Sequence, residues 1–279
     1  MEKIIDIDLI KNSINQILKE FKTNKELLEK YIDLDYNECG LKIEYSKMIS
    51  IIETYFEKEI ICKFNKFELI NGIGALAVIN NENPYYTLST CLAALRTNNT
   101  VAFYQKDNMY SLNKFIIDTF SKISNPEHFS RIKVVSYIDF IKDSINYDSL
   151  LFIGKYDEYI YLSKKLNIPI IFEPFGDINV YVDDISFKSN LIDIDKMAYS
   201  NCIQINYLKE SDIDLAIKKI NSESPASINV IFTKNTERAI KFLKDVKSSK
   251  IYVNKNPFES LNYILDENKL VYKKEIYYK

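Results

Sequence analysis

NYDSLLFIGKYDEYIYLSKKLNIPIIFEPFGDINVYVDD, residues 146–184, is the stretch from which the fold of this chain is read. Ser149-Leu-Leu-Phe-Ile153 is a short apolar run closed by Gly154, Tyr156 to Leu166 carries apolar residues at helical spacing, and Ile168 to Phe172 is a second apolar run. Short apolar runs bounded by turn residues suit buried strands, and a helix between two of them makes a parallel crossover unit. In sheets built this way ligands lie beyond the carboxyl ends of the strands. Gly154 and the loop Glu173-Pro-Phe-Gly176 fall at those ends.

Upstream the alternation continues. Ala75 to Ile79 reads as a strand, Asn80-Asn-Glu-Asn-Pro84 breaks it, and Tyr85 to Arg96 has helical spacing. Thr100 to Tyr104 is a strand, about Tyr110 to Ile123 a helix, Arg131 to Val135 a strand, and Tyr137 to Ser144 a short helix leading into the quoted stretch. This βαβαβαβ order predicts an α/β fold: a Rossmann-like, mostly parallel sheet with helices on both faces. Before it, Ile5, Leu9, Ile10, Ile14, Ile17, Leu18 and Phe21 recur at helical spacing, a second helix can start at Asn24, and a third pattern runs from about Tyr45 to Lys58. They predict an amphipathic helical layer packed on the sheet, with a partner-binding arm as the alternative.

Downstream of Asp184 the pattern weakens. Residues 185–198 are polar and lack a period. Cys202 to Leu208 then alternates like a strand, Ser211 to Ile220 is helical with Ser211 as cap, and Ile228 to Phe232 is a strand. Thr236 to Val246 is a helix, Lys250 to Val253 a strand, and Leu270 to Tyr278 a closing strand with one apolar face that needs cover. The expected division is 1–70 (helical layer), 71–184 (Rossmann-like, nucleotide-binding type) and 185–279 (an abbreviated second lobe with the closing strand).

The 279 residues, 47% hydrophobic and 27% charged with a net charge of −2, are enough for a sizeable core and offer no basic excess for nucleic acid. Cys39, Cys62, Cys91 and Cys202 show no CxxC spacing, and the single histidine, His128, has no neighbouring ligand set, so neither a metal site nor a disulfide framework is expected. Charges interrupt the N-terminal apolar residues, which excludes a signal peptide, and no apolar run approaches the roughly 20 residues that span a bilayer. A soluble, cytoplasmic protein without a membrane partner is the expectation.

Several of these segments, in this order, resemble the aldehyde dehydrogenase superfamily. Phe152-Ile-Gly-Lys155 resembles its Phe-Thr-Gly-Ser turn, and Glu173-Pro-Phe-Gly176 its Glu-Leu-Gly-Gly loop. Asn83-Pro84 and Leu95-Arg-Thr-Asn-Asn99 resemble the corresponding stretch of the CoA-acylating branch. Ile231-Phe-Thr-Lys234, Tyr252-Val-Asn254 and Asn256-Pro-Phe258 resemble anchors near the end of the family. The likeness runs from about residue 71 to 279 and lies in the colinearity of weak matches. It implies NAD or NADP as cofactor, a thiolate nucleophile, and a closing strand that crosses to the partner subunit of a homodimer, the alternative being the same strand lying on its own domain's edge.

The site residues follow from the same resemblance. Asn83 takes the place of the asparagine before proline, and Glu173 that of the general base. Tyr104 stands where the family has a ribose-contacting lysine, Gly154 is kept, and Lys155 replaces a serine near the phosphates. Pro174 and Phe175 replace Leu-Gly and remove a glycine that lets backbone approach the nicotinamide. Cys202 is the only cysteine after Glu173. In one register it is the nucleophile; in the other, which needs no gap between Cys202 and Pro257, it lies on a later strand and much of the catalytic domain is missing. The expected function is a divergent aldehyde dehydrogenase-like protein with a nucleotide-type cleft and little or no such activity. The alternatives are a small NAD(P)-dependent aldehyde or acyl oxidoreductase using Cys202 and Glu173, and a non-enzymatic interaction or dimerisation module.

Overall fold

The computed structural model describes residues 7–39, 43–61, 63–64, 68–80, 83–104, 111–123, 132–135, 141–142, 144–175, 177–183, 187, 190–195, 204–208, 212–223, 228–248, 250–260 and 263–275. Helix α1 (Ile7–Thr23) buries Ile10, Ile14, Ile17 and Phe21, whose spacing places them on one face. After α2 (Lys25–Cys39), helix α3 (Tyr45–Glu57) buries Met48, Ile51, Ile52 and Tyr55. Two short strands that the sequence reading does not contain follow, β1 (Lys63–Phe64) and β2 (Glu68–Gly72).

The central sheet is formed by β3 (Ala75–Asn80), β4 (Thr100–Tyr104), β5 (Ile132–Val135), β6 (Ser149–Gly154) and β7 (Ile170–Pro174). All neighbours are parallel, in the order β5-β4-β3-β6-β7. The chain builds outward from β3 in one direction and then, from β6, in the other. That reversal is a topological switch point at the carboxyl ends of β3 and β6, where Asn80 lies opposite Ile153. On one face, Leu76, Val78, Val101, Phe103, Leu151 and Ile153 share the main core with the N-terminal helices, α4 (Pro84–Thr97) and α5 (Ser111–Ile123). On the other, Ala77, Leu150, Phe152 and Tyr104 pack with Leu162 of α6 (Tyr156–Lys165).

Every residue of α4 is buried, so its polar side chains need partners inside the protein. Arg96 is fully buried: Nε donates to Glu267 Oε1 at 2.6 Å, Nη1 to the carbonyls of Tyr55 (2.6 Å) and Lys58 (3.2 Å), and Nη2 to that of Glu59 (2.6 Å). One guanidinium thus caps the end of α3 and holds the turn Glu267–Leu270. Tyr55 Oη and Ser89 Oγ, 2.7 Å apart, both accept from the Leu265 backbone N–H.

A second parallel sheet has the order β11-β10-β8-β9, from β8 (Asp177–Val182), β9 (Gln204–Leu208), β10 (Ile228–Phe232) and β11 (Lys250–Val253). Strand β8, counted with residues 71–184 in the sequence reading, is therefore hydrogen-bonded to strands of the last third. Helices α7 (Ile213–Glu223) and α8 (Thr236–Asp245) cover one face, where Ala216, Ile217, Ile220 and Phe242 meet Tyr181 and Ile231. The opposite face, with Ile178, Val180, Ile228, Val230 and Phe232, joins the main core. A row of amides pins the register: Asn179 Nδ2 donates to Asn229 Oδ1 at 2.9 Å and Asn206 Nδ2 to Asn179 Oδ1 at 3.2 Å, across directly opposed residues.

The closing strand, β12 (Val271–Glu275), pairs antiparallel with β2 of its own chain, Val271 opposite Gly72 and Glu275 opposite Glu68, in the order β1-β2-β12. The physical reason is a close fit at Gly72, where a Cβ would lie 2.2 Å from the Thr97 carbonyl, and at Asn99, whose Nδ2 donates to the Leu270 carbonyl at 2.9 Å. Among the described residues, no helix is long and apolar enough to cross a membrane.

Candidate functional site

Asn83 sits at the entrance to α4. Its Oδ1 accepts from the Tyr85 N–H at 2.9 Å, satisfying an otherwise orphaned helix donor, and Pro84 takes the first helical position, where no N–H is needed. The Nδ2 of Asn83 is buried and has no hydrogen-bond partner among the described residues.

Glu173 lies near the end of β7, opposite Ile153 of β6, and is 7% exposed. Its two oxygens are each taken by an ammonium group: Oε1 accepts from Lys250 at 2.8 Å and Oε2 from Lys269 at 2.7 Å. Burial alone would push the carboxyl up, but Lys250, and then Lys269, outweigh it and hold the group below its ordinary value. A carboxylate so held is a poor proton acceptor at neutral pH.

Aromatic rings cluster around Tyr86, which lies near Glu173. Tyr86, one turn into α4, meets Phe175 at 4.9 Å and Tyr263 at 5.3 Å between ring centroids, and Tyr85 meets Tyr263 at 4.7 Å. Burial first, with the nearby Glu173 carboxylate adding to it, pushes the Tyr86 phenol well up. Burial likewise raises Tyr85 to about 12, while its hydroxyl accepts the Glu44 N–H at 2.7 Å. Lys47 closes the cluster from outside, its ammonium 4.4 Å from the Tyr263 ring centre.

The residues expected to meet a cofactor are covered in a similar way. A Cβ built on Gly154 would be 2.6 Å from Cζ of Phe152, so the Phe152 ring lies against this glycine. Phe152 stacks on Phe172 at 5.9 Å, and Phe172 on Tyr159 at 4.6 Å. Tyr104 is 7% exposed and packs in the same cluster. Lys155 occupies the N-cap position of α6 without a side-chain cap, and the first turn carries Asp157 and Glu158, two negative charges where a phosphate would approach. Cys202 lies outside the described residues. Cys91 is buried on α4, and burial pushes its thiol well up.

Tyr104 and Glu173 come to the same sheet end as Asn80, Asn83 and Gly154, through the pairings Ile79 with Tyr104 and Ile153 with Glu173. A cavity of about 650 Å³ lies elsewhere, lined by residues of α1, α2 and α5 that include Glu20, Tyr31, Phe115 and Asp118. Sequence reasoning missed Lys250 and Lys269, which are 77 and 96 residues from Glu173. It also missed Tyr86, Phe152 and Tyr263, whose apolar surroundings alone would assign them to the core. Among the described residues no group of three or more His, Cys, Asp or Glu side chains could hold a metal ion.

These features define an α/β protein of Rossmann type whose two parallel sheets share one core, with polar groups gathered at the carboxyl ends of the first. More particularly, the fold is similar to those of solved aldehyde dehydrogenases and a gamma-glutamyl phosphate reductase. Aldehyde dehydrogenase 21 from Physcomitrella patens, solved with the reaction product succinate, superposes with a TM-score of 0.70 at 12% identity, over 98% of this chain and 86% of that one. A propionaldehyde dehydrogenase from the Clostridium phytofermentans fucose utilisation microcompartment gives 0.68 at 11% identity, over 98% and 92%. Gamma-glutamyl phosphate reductase from Thermotoga maritima gives 0.64 at 14% identity, over 96% and 92%. No protein-family model matches the chain, and no curated protein matches it.

Proposed function

We propose that this protein is a divergent, abbreviated relative of the aldehyde dehydrogenases that keeps a nucleotide-type crevice and has little or no aldehyde dehydrogenase activity. The observation that carries this reading is the state of Glu173, the position that resembles the family's general base. Both of its oxygens are engaged by lysines, and Tyr86, close enough to feel its charge, is packed against Phe175 and Tyr263. The Phe152 ring over Gly154 and the acids beside Lys155 argue in the same direction for the cofactor.

The test is turnover. Purified protein is expected neither to reduce NAD or NADP with short aldehydes nor to oxidise NADH with acyl-CoA. Turnover that disappears in Cys202→Ala overturns the reading. Calorimetric titration with NAD, NADP, ATP and CoA then asks whether the crevice takes a nucleotide; heat that is lost on obstructing the site with Gly154→Leu supports it, and no heat from any of them makes the chain an interaction module.

One observation favours the second reading, a small NAD(P)-dependent aldehyde or acyl oxidoreductase with Cys202 as nucleophile. Among the described residues Asn83 Nδ2 is a buried donor without a hydrogen-bond partner, the kind of group that can stabilise a developing oxyanion. In that case Asn83→Ala lowers kcat of an active preparation with little change in KM. We further propose a cytoplasmic homodimer. β12 is an end strand of its sheet and leaves one edge for a second copy. Light scattering of the full chain, which returns a dimer mass if this holds, checks it.

A further inference from the structure

We infer that Glu173 is a latch, a single buried carboxylate that ties the three sheets of this protein together. It belongs to β7 of the five-stranded sheet. Lys250, which binds Oε1, is the first residue of β11 in the four-stranded sheet. Lys269, which binds Oε2, stands in the turn Glu267–Leu270 that runs directly into β12 of the three-stranded sheet. Each lysine has an oxygen to itself, so neither displaces the other.

The strands held this way are end strands: among the described residues β11 is paired only with β10 and β12 only with β2. End strands open more readily than central ones because one row of their backbone groups has no neighbouring strand. The carboxylate is buried, whereas the lysine side chains are 36% and 39% exposed. The acid is thus the fixed member, with Tyr86 nearby, and release requires only that the lysines swing outward. β11 and β12 share no backbone ladder, yet the charge on Glu173 couples them.

Hydrogen exchange of the full chain without ligand tests this, and its outcome does not depend on whether the protein has oxidoreductase activity. In Glu173→Gln, protection is expected to fall about tenfold in both Lys250–Val253 and Val271–Glu275, the low end for a charge-assisted hydrogen bond because water screens the lysines. Protection in β3 and β4 is expected to stay unchanged. Lys250→Met should loosen only the first segment and Lys269→Met only the second. If Glu173→Gln does not fold, the lysine variants still decide the matter through that split. Loosening of one segment alone or of neither in Glu173→Gln, or equal loosening of both segments in either single lysine variant, overturns the latch.

Discussion

Replacing Arg96 by Met is expected to be among the most damaging single changes in this protein. The substitution keeps most of the aliphatic length but removes every donor, leaving the buried Glu267 carboxylate without its cation and the carbonyls of Tyr55, Lys58 and Glu59 without theirs. Removing one member of a buried ion pair costs about 3–5 kcal/mol. Unpaired buried carbonyls add about 1–3 kcal/mol each, although Lys58 and Glu59 lie at an exposed turn where water can replace the lost donor. A total on the order of 4 kcal/mol is therefore expected, a large share of the roughly 5–15 kcal/mol that holds a native protein together. In a thermal melt this appears as a fall in Tm of roughly 10 °C. Arg96→Lys should recover little of it, because one ammonium cannot satisfy a carboxylate and three carbonyls on different sides. Arg96→Met combined with Glu267→Leu should melt higher than Arg96→Met alone, since no charge is then left buried and unpaired. A loss below about 3 °C in the single variant, or a double variant less stable than the single one, would refute this account of how α4 is anchored.

Other expected outcomes follow from close contacts and charge. Gly72→Ala must push against the Thr97 backbone carbonyl at 2.2 Å and should cost at least about 1–3 kcal/mol, whereas Gly154→Ala meets the end of a Phe152 ring that can turn aside and should cost less; urea midpoints compare the two. Glu173, with its carboxyl held low by Lys250 and Lys269 and with Tyr86 nearby, contributes stability that is complete above the ordinary carboxylate range and is lost as pH falls through its folded value. Glu173→Gln should accordingly lower Tm at pH 7, with the gap to the unsubstituted protein closing in acid; a gap constant with pH would contradict the pairing. Asn229→Leu leaves Asn179 Nδ2 without its acceptor and is expected to cost about 1–3 kcal/mol by urea denaturation.

The parallel core was legible in the sequence because its strands are apolar on both faces and its helices carry their own boundary signals. The helix expected from Tyr85 to Arg96 is present from Pro84 to Thr97, capped by the Asn83 and Asn98 that flank it. The three-stranded sheet was not legible. Glu68–Gly72 is too short and too polar to announce a strand, and its partner lies some two hundred residues away. Periodicity likewise shows that the closing strand has a face to be covered and is silent about what covers it. At the site, the local pieces Asn83, Gly154 and Glu173 could be found from resemblance, and they do meet at one sheet end. Their chemical state could not, because it is set by lysines and rings brought in by long-range packing.

The burial of α4 bears on how the protein comes into being on the ribosome. Its Ser89 and Arg96 side chains, with Tyr55 beneath them, find partners in Leu265 and Glu267, at sequence separations of up to 210 residues. Until that late segment has been synthesised, Arg96 has its N-terminal carbonyl partners but not the Glu267 carboxylate, and Tyr55 and Ser89 lack the Leu265 backbone they share. Folding from the N-terminus therefore stays incomplete at α4, and the long-range closure that completes it is entropically slow.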